Sequence, residues 1–521
     1  MNRAACLALV FLGLLAFSNA IQHPFVHDDV IFIVHNPHIT ELNHWSEVFV
    51  VPATTGGLNS YYRPVLEILY RIEYQLFGLH PYGFHLFNIL VHIINGILLY
   101  VILQKLNIPA HLAWVIACIF LIHPVQTEAV CCISGISNLW MALGVLLALL
   151  AYLNQWYGAS LLFFIIAFLS KEQGILFLPL LMVIDYARGV RNYRWWIVFG
   201  IVSAVLLWVH QSMTSSSLLH DIMASPQELY LRLASIPRDL GMYLRLIFVP
   251  ADLHYYRSTD ILKPNVFAWA ITLISMGGIF YTFKRWSLYR STIILGLGWF
   301  FAAFLPVLNI APLINEYSFI LTPEHFLYLP IVGILIIVVI VVDHLIKRFR
   351  KLLLALVICT CLILTWYQNT FWRSEIALFE RMLIYEPNFG RGHLLLAKSY
   401  YFNGQPEKAE PHFRQALTIM TQYEKKATNS IAQQFYAKFI TEILFDWAQN
   451  DCAMGQWGLG LDKYKQAAVI NGNDPTLYNN MAFVYLHMGD KKDAILNLKQ
   501  ALQIDPAFTQ AARNLKALGS P

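Results

Sequence analysis

Apolar runs recur through the first 370 residues, near 4–20, 84–104, 109–122, 136–153, 158–170, 173–187, 195–210, 265–283, 291–308, 326–346 and 352–368. Most approach the length a helix needs to cross roughly 30 Å of hydrocarbon. The shorter ones are expected to be tilted or shielded by neighbours. The pattern changes abruptly near residue 371. From there apolar positions recur at helical spacing among many polar ones, the signature of amphipathic helices in water. The predicted fold class is all-α: a polytopic membrane bundle of about 11 spans over residues 1–370, then a helical solenoid over 371–521.

The C-terminal pattern has a period. With Pro475 as the first position of a 34-residue unit, Tyr478, Ala482, Tyr485, Gly489, Ala494, Leu498, Ala501 and Pro506 fall where a tetratricopeptide repeat places its large and small residues. Small residues let two helices approach, and large ones fill the gaps. Ala448, Gly455, Gly460, Tyr464 and Ala467 form a poorer copy one period earlier. Leu396, Ala397, Tyr400, Gly404, Ala409, Phe413 and Ala416 form a third. Residues 421–440 break the period as an insertion or a longer helix. Such solenoids present a concave face to peptides or proteins, so a polypeptide is the expected partner, with a pure assembly scaffold as the alternative.

Composition agrees with a membrane chain. It is 58% hydrophobic and 13% charged, against about 25% charged in ordinary soluble domains. The net charge of +5 lies in short clusters between apolar runs. These are topology determinants rather than a nucleic-acid surface, so the bilayer is an expected partner and nucleic acid is not. The clusters are Arg188, Arg191 and Arg194; Lys284, Arg285 and Arg290; and Lys347, Arg348, Arg350 and Lys351. Eleven spans starting inside put all three in the cytoplasm, provided residues 211–264 stay outside, with 229–250 interfacial or re-entrant. Residues 1–20 read as an uncleaved first span, with a cleavable signal peptide as the alternative. The seven cysteines show neither zinc spacing nor a disulfide framework.

Loops 21–83, 123–135, 211–264 and 309–325 then face the non-cytoplasmic side, and they hold the unusual polar residues. Asp28 and Asp29 follow the first run. Tyr61-Tyr62-Arg63-Pro64 comes later in the same loop. His85, Asn88, His92 and Asn95 recur at helical spacing and give an apolar helix one polar stripe. Polar groups at membrane depth normally face a bundle interior or an aqueous cavity, and interhelical hydrogen bonding explains such a stripe equally well. His123 and Glu128 sit in His-Pro-Val-Gln-Thr-Glu-Ala-Val. Lys171 and Glu172 join two runs, and Glu324-His325-Phe326 opens another. Taken singly, a solvated loop, a solvated ion pair and a helix cap account for these groups. Together they outline an outward cavity.

In their order and spacing, these motifs resemble the polyprenol-phosphate-sugar-dependent glycosyltransferases of the C-type superfamily. The likeness is greatest to the transmembrane-and-tetratricopeptide O-mannosyltransferases and their bacterial relatives. There are two departures. The family usually continues after Thr-Glu-Ala-Val to a Gly-Arg pair and an acidic residue, where this chain has Gly135-Ile136-Ser137-Asn138. The family's Glu-Arg-Tyr is Glu324-His325-Phe326.

The resemblance implies transfer of mannose or another hexose from a polyprenyl- or dolichyl-phosphate carrier to a protein or glycan hydroxyl, with inversion. The leaving group is a stable phosphate and needs no general acid, so one carboxylate suffices as base. Asp28 is the implied base and Asp29 the second choice. Arg63, Lys171, Arg232, Arg238 and His325 are implied for the phosphate, and His85, Asn88, His92, His123, Glu128, Glu172 and Glu324 as supporting polar groups. A divalent cation (magnesium or manganese) at Asp28 and Asp29 is compatible but not required, since two adjacent carboxylates are a weak metal signature. The implied host membrane is the endoplasmic reticulum or a bacterial inner membrane, with site and repeats on the lumenal or periplasmic side. The alternatives are a non-catalytic scaffold that uses only its repeats, and an O-antigen-ligase or polymerase-like enzyme. In sealed vesicles, a tag after residue 521 should be reached only from the non-cytoplasmic side; access only from the cytoplasm would overturn this topology.

Overall fold

The computed structural model describes residues 2–40, 45–49, 53–55, 59–214, 226–260, 270, 272–274, 277–278, 281, 290–308, 319–427 and 430–519. It divides into two compact units, Met1–Ser374 and Glu375–Pro521. Both are helical. The only ladders among the described residues are two antiparallel pairs: Ala53–Thr55 with Asn59–Tyr61, and Ser258–Asp260 with Phe319–Leu321.

In the first unit, six helices among the described residues are long and apolar enough to cross a membrane: Arg3–Ala20, Pro81–Lys105, Ile133–Leu153, Tyr193–Met213, Arg290–Val307 and Arg350–Arg373. A seventh candidate, Ala110–Ile122 with Pro124–Cys131, is bent by 52°. Pro124 causes the break, because a proline ring excludes the α conformation at the residue before it. His123 there is extended, at φ −71° and ψ 131°. Tyr157–Ser170 and Pro330–Leu345 are shorter apolar helices, and Phe177–Ala187 spans 11 residues. The expected span at 265–283 lies mostly outside the described residues. The stretch expected to be interfacial is part of a helix, Pro226–Phe248, with Pro237 inside it.

The polar stripe is consumed by helix packing. His92 Nε2 donates to the Leu121 carbonyl at 3.0 Å, and its Nδ1 accepts from the Tyr328 hydroxyl at 2.7 Å. Asn95 donates to the same Tyr328 oxygen at 3.1 Å and to the Leu139 carbonyl at 3.0 Å. Asn88 reaches the carbonyls of Val130, Cys132 and Ile133, and His85 that of His23. Each polar side chain ties down a neighbouring turn, which removes much of the penalty for burying it in an apolar bundle.

In the second unit, Glu375–Tyr385 leads into the helix pairs Gly390–Phe402 with Pro406–Lys426, Ser430–Ala453 with Trp457–Ile470, and Pro475–His487 with Lys491–Ile504. Thr509–Ala517 closes the array. The interruption at 421–440 falls at the extended end of Pro406–Lys426 and the start of Ser430–Ala453, long helices of 21 and 24 residues that belong to successive pairs. Ala482, Ala494, Leu498, Ala501, Ala511 and Leu515 form the core of the last repeat. Gly489 turns between helices at φ +83°, a conformation that glycine adopts without strain.

Arg290–Phe304 and Pro330–Leu345 approach backbone to backbone. A Cβ added at Gly333 would lie 2.3 Å from the Gly296 carbonyl oxygen and 2.5 Å from the Phe300 nitrogen. Backbone cannot yield as a flexible side chain can. Gly333→Val should therefore lower stability by about 1–3 kcal/mol or more, read as a lower thermal midpoint in detergent. An unchanged midpoint would contradict this packing.

Candidate active site

Segments 27–29, 63, 128, 134–138, 171–172, 252–257 and 324–326 meet in one linked polar cluster of the membrane unit. Its anchor is Asp29, which is fully buried. Its Oδ1 accepts the Ser134 N–H at 2.7 Å, and its Oδ2 accepts the Val26 N–H at 3.2 Å. Burial pushes this carboxyl up to about 6, against the pull of the Ser134 and Val26 amides. Asp28 lies in the same helical turn, but its carboxylate points elsewhere, to Tyr255. Its side chain is 35% exposed, and its Oδ2 accepts the Tyr255 hydroxyl at 3.1 Å. His27 Nε2 lies 3.4 Å from Asp28 Oδ1. His27 and Tyr256 both hold left-handed backbone, at φ +47° and +53°, and their rings pack 6.0 Å apart. Two strained non-glycine residues thus flank the Asp28–Tyr255 bond, as happens where surrounding structure over-determines a site.

The aspartate pair does not suit a divalent ion. Both Asp29 oxygens are occupied by backbone amides, and no group of three or more His, Cys, Asp or Glu among the described residues is arranged to hold a metal.

The cations expected at a phosphate divide by partner. Arg63 forms a fork with Glu172, Nε to Oε2 at 3.0 Å and Nη2 to Oε1 at 2.8 Å. Burial alone would raise Glu172; the Arg63 guanidinium outweighs it and holds the carboxyl at about 2. The His325 backbone N–H and ring Nδ1 both engage Glu128, at 2.9 and 2.8 Å. Lys171 differs. Its ammonium is buried, donates to the neutral Asn138 Oδ1 at 2.7 Å, and lies 5.8 Å from the Phe326 ring centroid. Burial, helped by the nearby Arg63, lowers it to about 7. Among the described residues Lys171 thus has a neutral amide rather than a carboxylate as its hydrogen-bond partner. Glu324 accepts the His254 N–H at 2.7 Å and lies 3.4 Å from Arg257 Nη2; burial raises its carboxyl. Arg238 pairs with Asp239 on its own helix at 3.3 Å, and the Arg232 side chain lies outside the described residues. His123 bonds the Ile247 carbonyl at 2.9 Å.

Sequence reasoning passed over Asp252, His254, Tyr255 and Arg257. A signal was present: Asp252-Leu-His-Tyr-Tyr-Arg257 crowds polar residues after a helix and repeats the Tyr-Tyr-Arg of residues 61–63.

The tetratricopeptide repeat family model matches residues 390–419 and 475–508. Protein O-mannosyl-transferase F38B6.6 of Caenorhabditis elegans is 29% identical over 190 residues, covering 34% of this chain and 28% of that protein. Protein O-mannosyl-transferase TMTC1 of Mus musculus is 34% identical over 147 residues, covering 26% of this chain and 15% of the relative. The chain resembles the protein O-mannosyl-transferases. The matched stretch spans less than a third of either relative's length. A solved structure, ArnT from Cupriavidus metallidurans bound to undecaprenyl phosphate, aligns over 89% of this chain and 79% of that one. At 14% identity and a TM-score of 0.36, that alignment carries no argument.

The Arg63–Glu172 pair links the first loop to the 171–172 turn, and its pH dependence has a definite sign. A carboxyl held at about 2 rather than 4.5 stabilises the folded state fully above pH 4.5 and loses that contribution as pH falls towards 2, on the order of 3 kcal/mol in all. Glu172→Gln should lower the thermal midpoint at neutral pH and flatten the acid limb of stability. An acid limb identical to that of the unsubstituted protein would rule out the depressed carboxyl.

Proposed function

We propose that this chain is an inverting membrane glycosyltransferase. In this reading it moves mannose or a related hexose from a polyprenyl- or dolichyl-phosphate to a hydroxyl of a polypeptide or glycan. The observation that carries the reading is the pairing of a half-open Asp28 with a cluster of buried cations. Among these, Lys171 has only a neutral hydrogen-bond partner.

The acceptor hydroxyl oxygen attacks the anomeric carbon. The bond from that carbon to the phosphate oxygen breaks, and both its electrons leave with the phosphate. Asp28 takes the hydroxyl proton, while Tyr255, donating to Asp28 Oδ2, orients the carboxylate. Lys171 is the cation for the departing phosphate, with Arg63 and His325 close in the same cluster. Asp29 is a positioning residue, since both its oxygens serve the backbone. The repeats present the acceptor on the same, non-cytoplasmic side of the endoplasmic reticulum or bacterial inner membrane, a placement that rests on the charge pattern. One observation favours the scaffold reading: Arg63 and His325 are already committed to Glu172 and Glu128.

Protein purified in detergent, given polyprenyl-phosphate-mannose and acceptor peptides, should transfer sugar. Asp28→Asn should reduce the rate by roughly 10²–10⁴-fold with little change in thermal midpoint. Transfer by Asp28→Asn at the unsubstituted rate would remove Asp28 from the chemistry. No transfer from any lipid-linked sugar would favour the scaffold.

A further inference from the structure

A second site lies apart from the aspartate cluster. Helices Arg3–Phe17, Ala110–Ile122, Pro330–Leu345 and Arg350–Asn369 enclose a groove with a cavity of about 1040 Å³. Small side chains open it: Ala4, Ala5 and Ala8 line the face of the first helix. Its walls are otherwise mainly branched aliphatic residues. Along one wall it runs from His111 to His123, roughly 18 Å at about 1.5 Å per residue. That exceeds half of the roughly 30 Å hydrocarbon thickness, enough for a tail from a single leaflet.

The two ends differ in charge. His123, Ile247, Phe248 and Pro250 form one, and no lining residue there is a permanent cation. Arg350 and Lys351 form the other, just after Lys347 and Arg348 in the chain. Asp343 offsets part of that charge, 3.1 Å from Arg350 and 4.0 Å from His111. The cationic end lies beside Asn2, at the start of the helix whose far end leads into Asp28. A phosphate held there is therefore separated from Asp28 by a 15-residue helix, roughly 22 Å. It cannot be the phosphate of a reacting donor.

From the apolar walls, the single basic rim and this separation, we infer that the groove binds an anionic phospholipid of the leaflet that the Arg350 end faces. Its tail fills the groove, and its headgroup meets Arg350 and Lys351. Charge complementarity selects the headgroup, since basic side chains near a membrane surface attract anionic lipids.

The test uses the full chain in detergent, titrated with phosphatidylglycerol, phosphatidylcholine or a polyprenyl phosphate, with bound lipid read by native mass spectrometry. Phosphatidylglycerol should be retained in preference to phosphatidylcholine. Replacing both cations, Arg350→Ala with Lys351→Ala, should weaken phosphatidylglycerol retention by roughly ten- to thirtyfold and leave phosphatidylcholine unchanged. Ala8→Trp, which fills the groove without touching the rim, should reduce retention of both. Equal retention of the two phospholipids would overturn the site, as would undiminished phosphatidylglycerol retention by either variant. Polyprenyl phosphate displacing phosphatidylglycerol, with the same dependence on the two cations, would assign the groove to the donor and overturn the inference too. None of these readouts depends on sugar transfer.

Discussion

The polar cluster hangs on one buried carboxylate. Asp29 accepts a backbone N–H from its own loop and another from Ser134, more than a hundred residues away. That double acceptance fixes the loop after the first helix against the turn that starts Ile136–Leu153. Because Asp29 is spent on the backbone, Asp28 is forced outward against Tyr255. Adjacent residues with identical chemistry thus acquire different environments from chain direction alone.

A second constraint is the breaking of apolar helices at polar residues. The helix after Pro109 stops at His123, turns by 52°, and delivers Glu128 to His325. Unbroken, it would carry Glu128 on along the helix axis. Backbone irregularity at membrane depth is tolerated where protein buries it, and Asn88, His92 and His123 each bond a carbonyl at or beside such a break. The polar stripe and the bent helix are two halves of one arrangement.

Much of this was legible in the chain. Apolar runs located the long helices, although the starts at Pro81 and Pro330, where proline sits in the first turn, lie a few residues from the ends of the runs. The 34-residue period located the repeats. Motif order brought Asp28, Arg63, Glu128, Lys171, Glu172, Glu324 and His325 into consideration, and they do converge. What sequence could not supply was pairing. Nothing in the spacing says that Arg63 takes Glu172 or that Lys171 takes Asn138, because those contacts join loops set by tertiary packing. Residues 252–257 were missed for a related reason: the preceding helix is amphipathic and charged, and reads as a surface element whose far end has no particular destination.

The amide that Asn138 offers Lys171 has an energetic meaning of its own. An amine sealed in protein with a permanent positive charge needs a counter-charge, or the fold carries an expensive unpaired ion. Burial lowers Lys171 to about 7 beside a neutral oxygen, so it can shed its proton instead. The carboxylates of Glu172 and Glu128 in the same cluster pull the other way, so the lysine is balanced between its two forms.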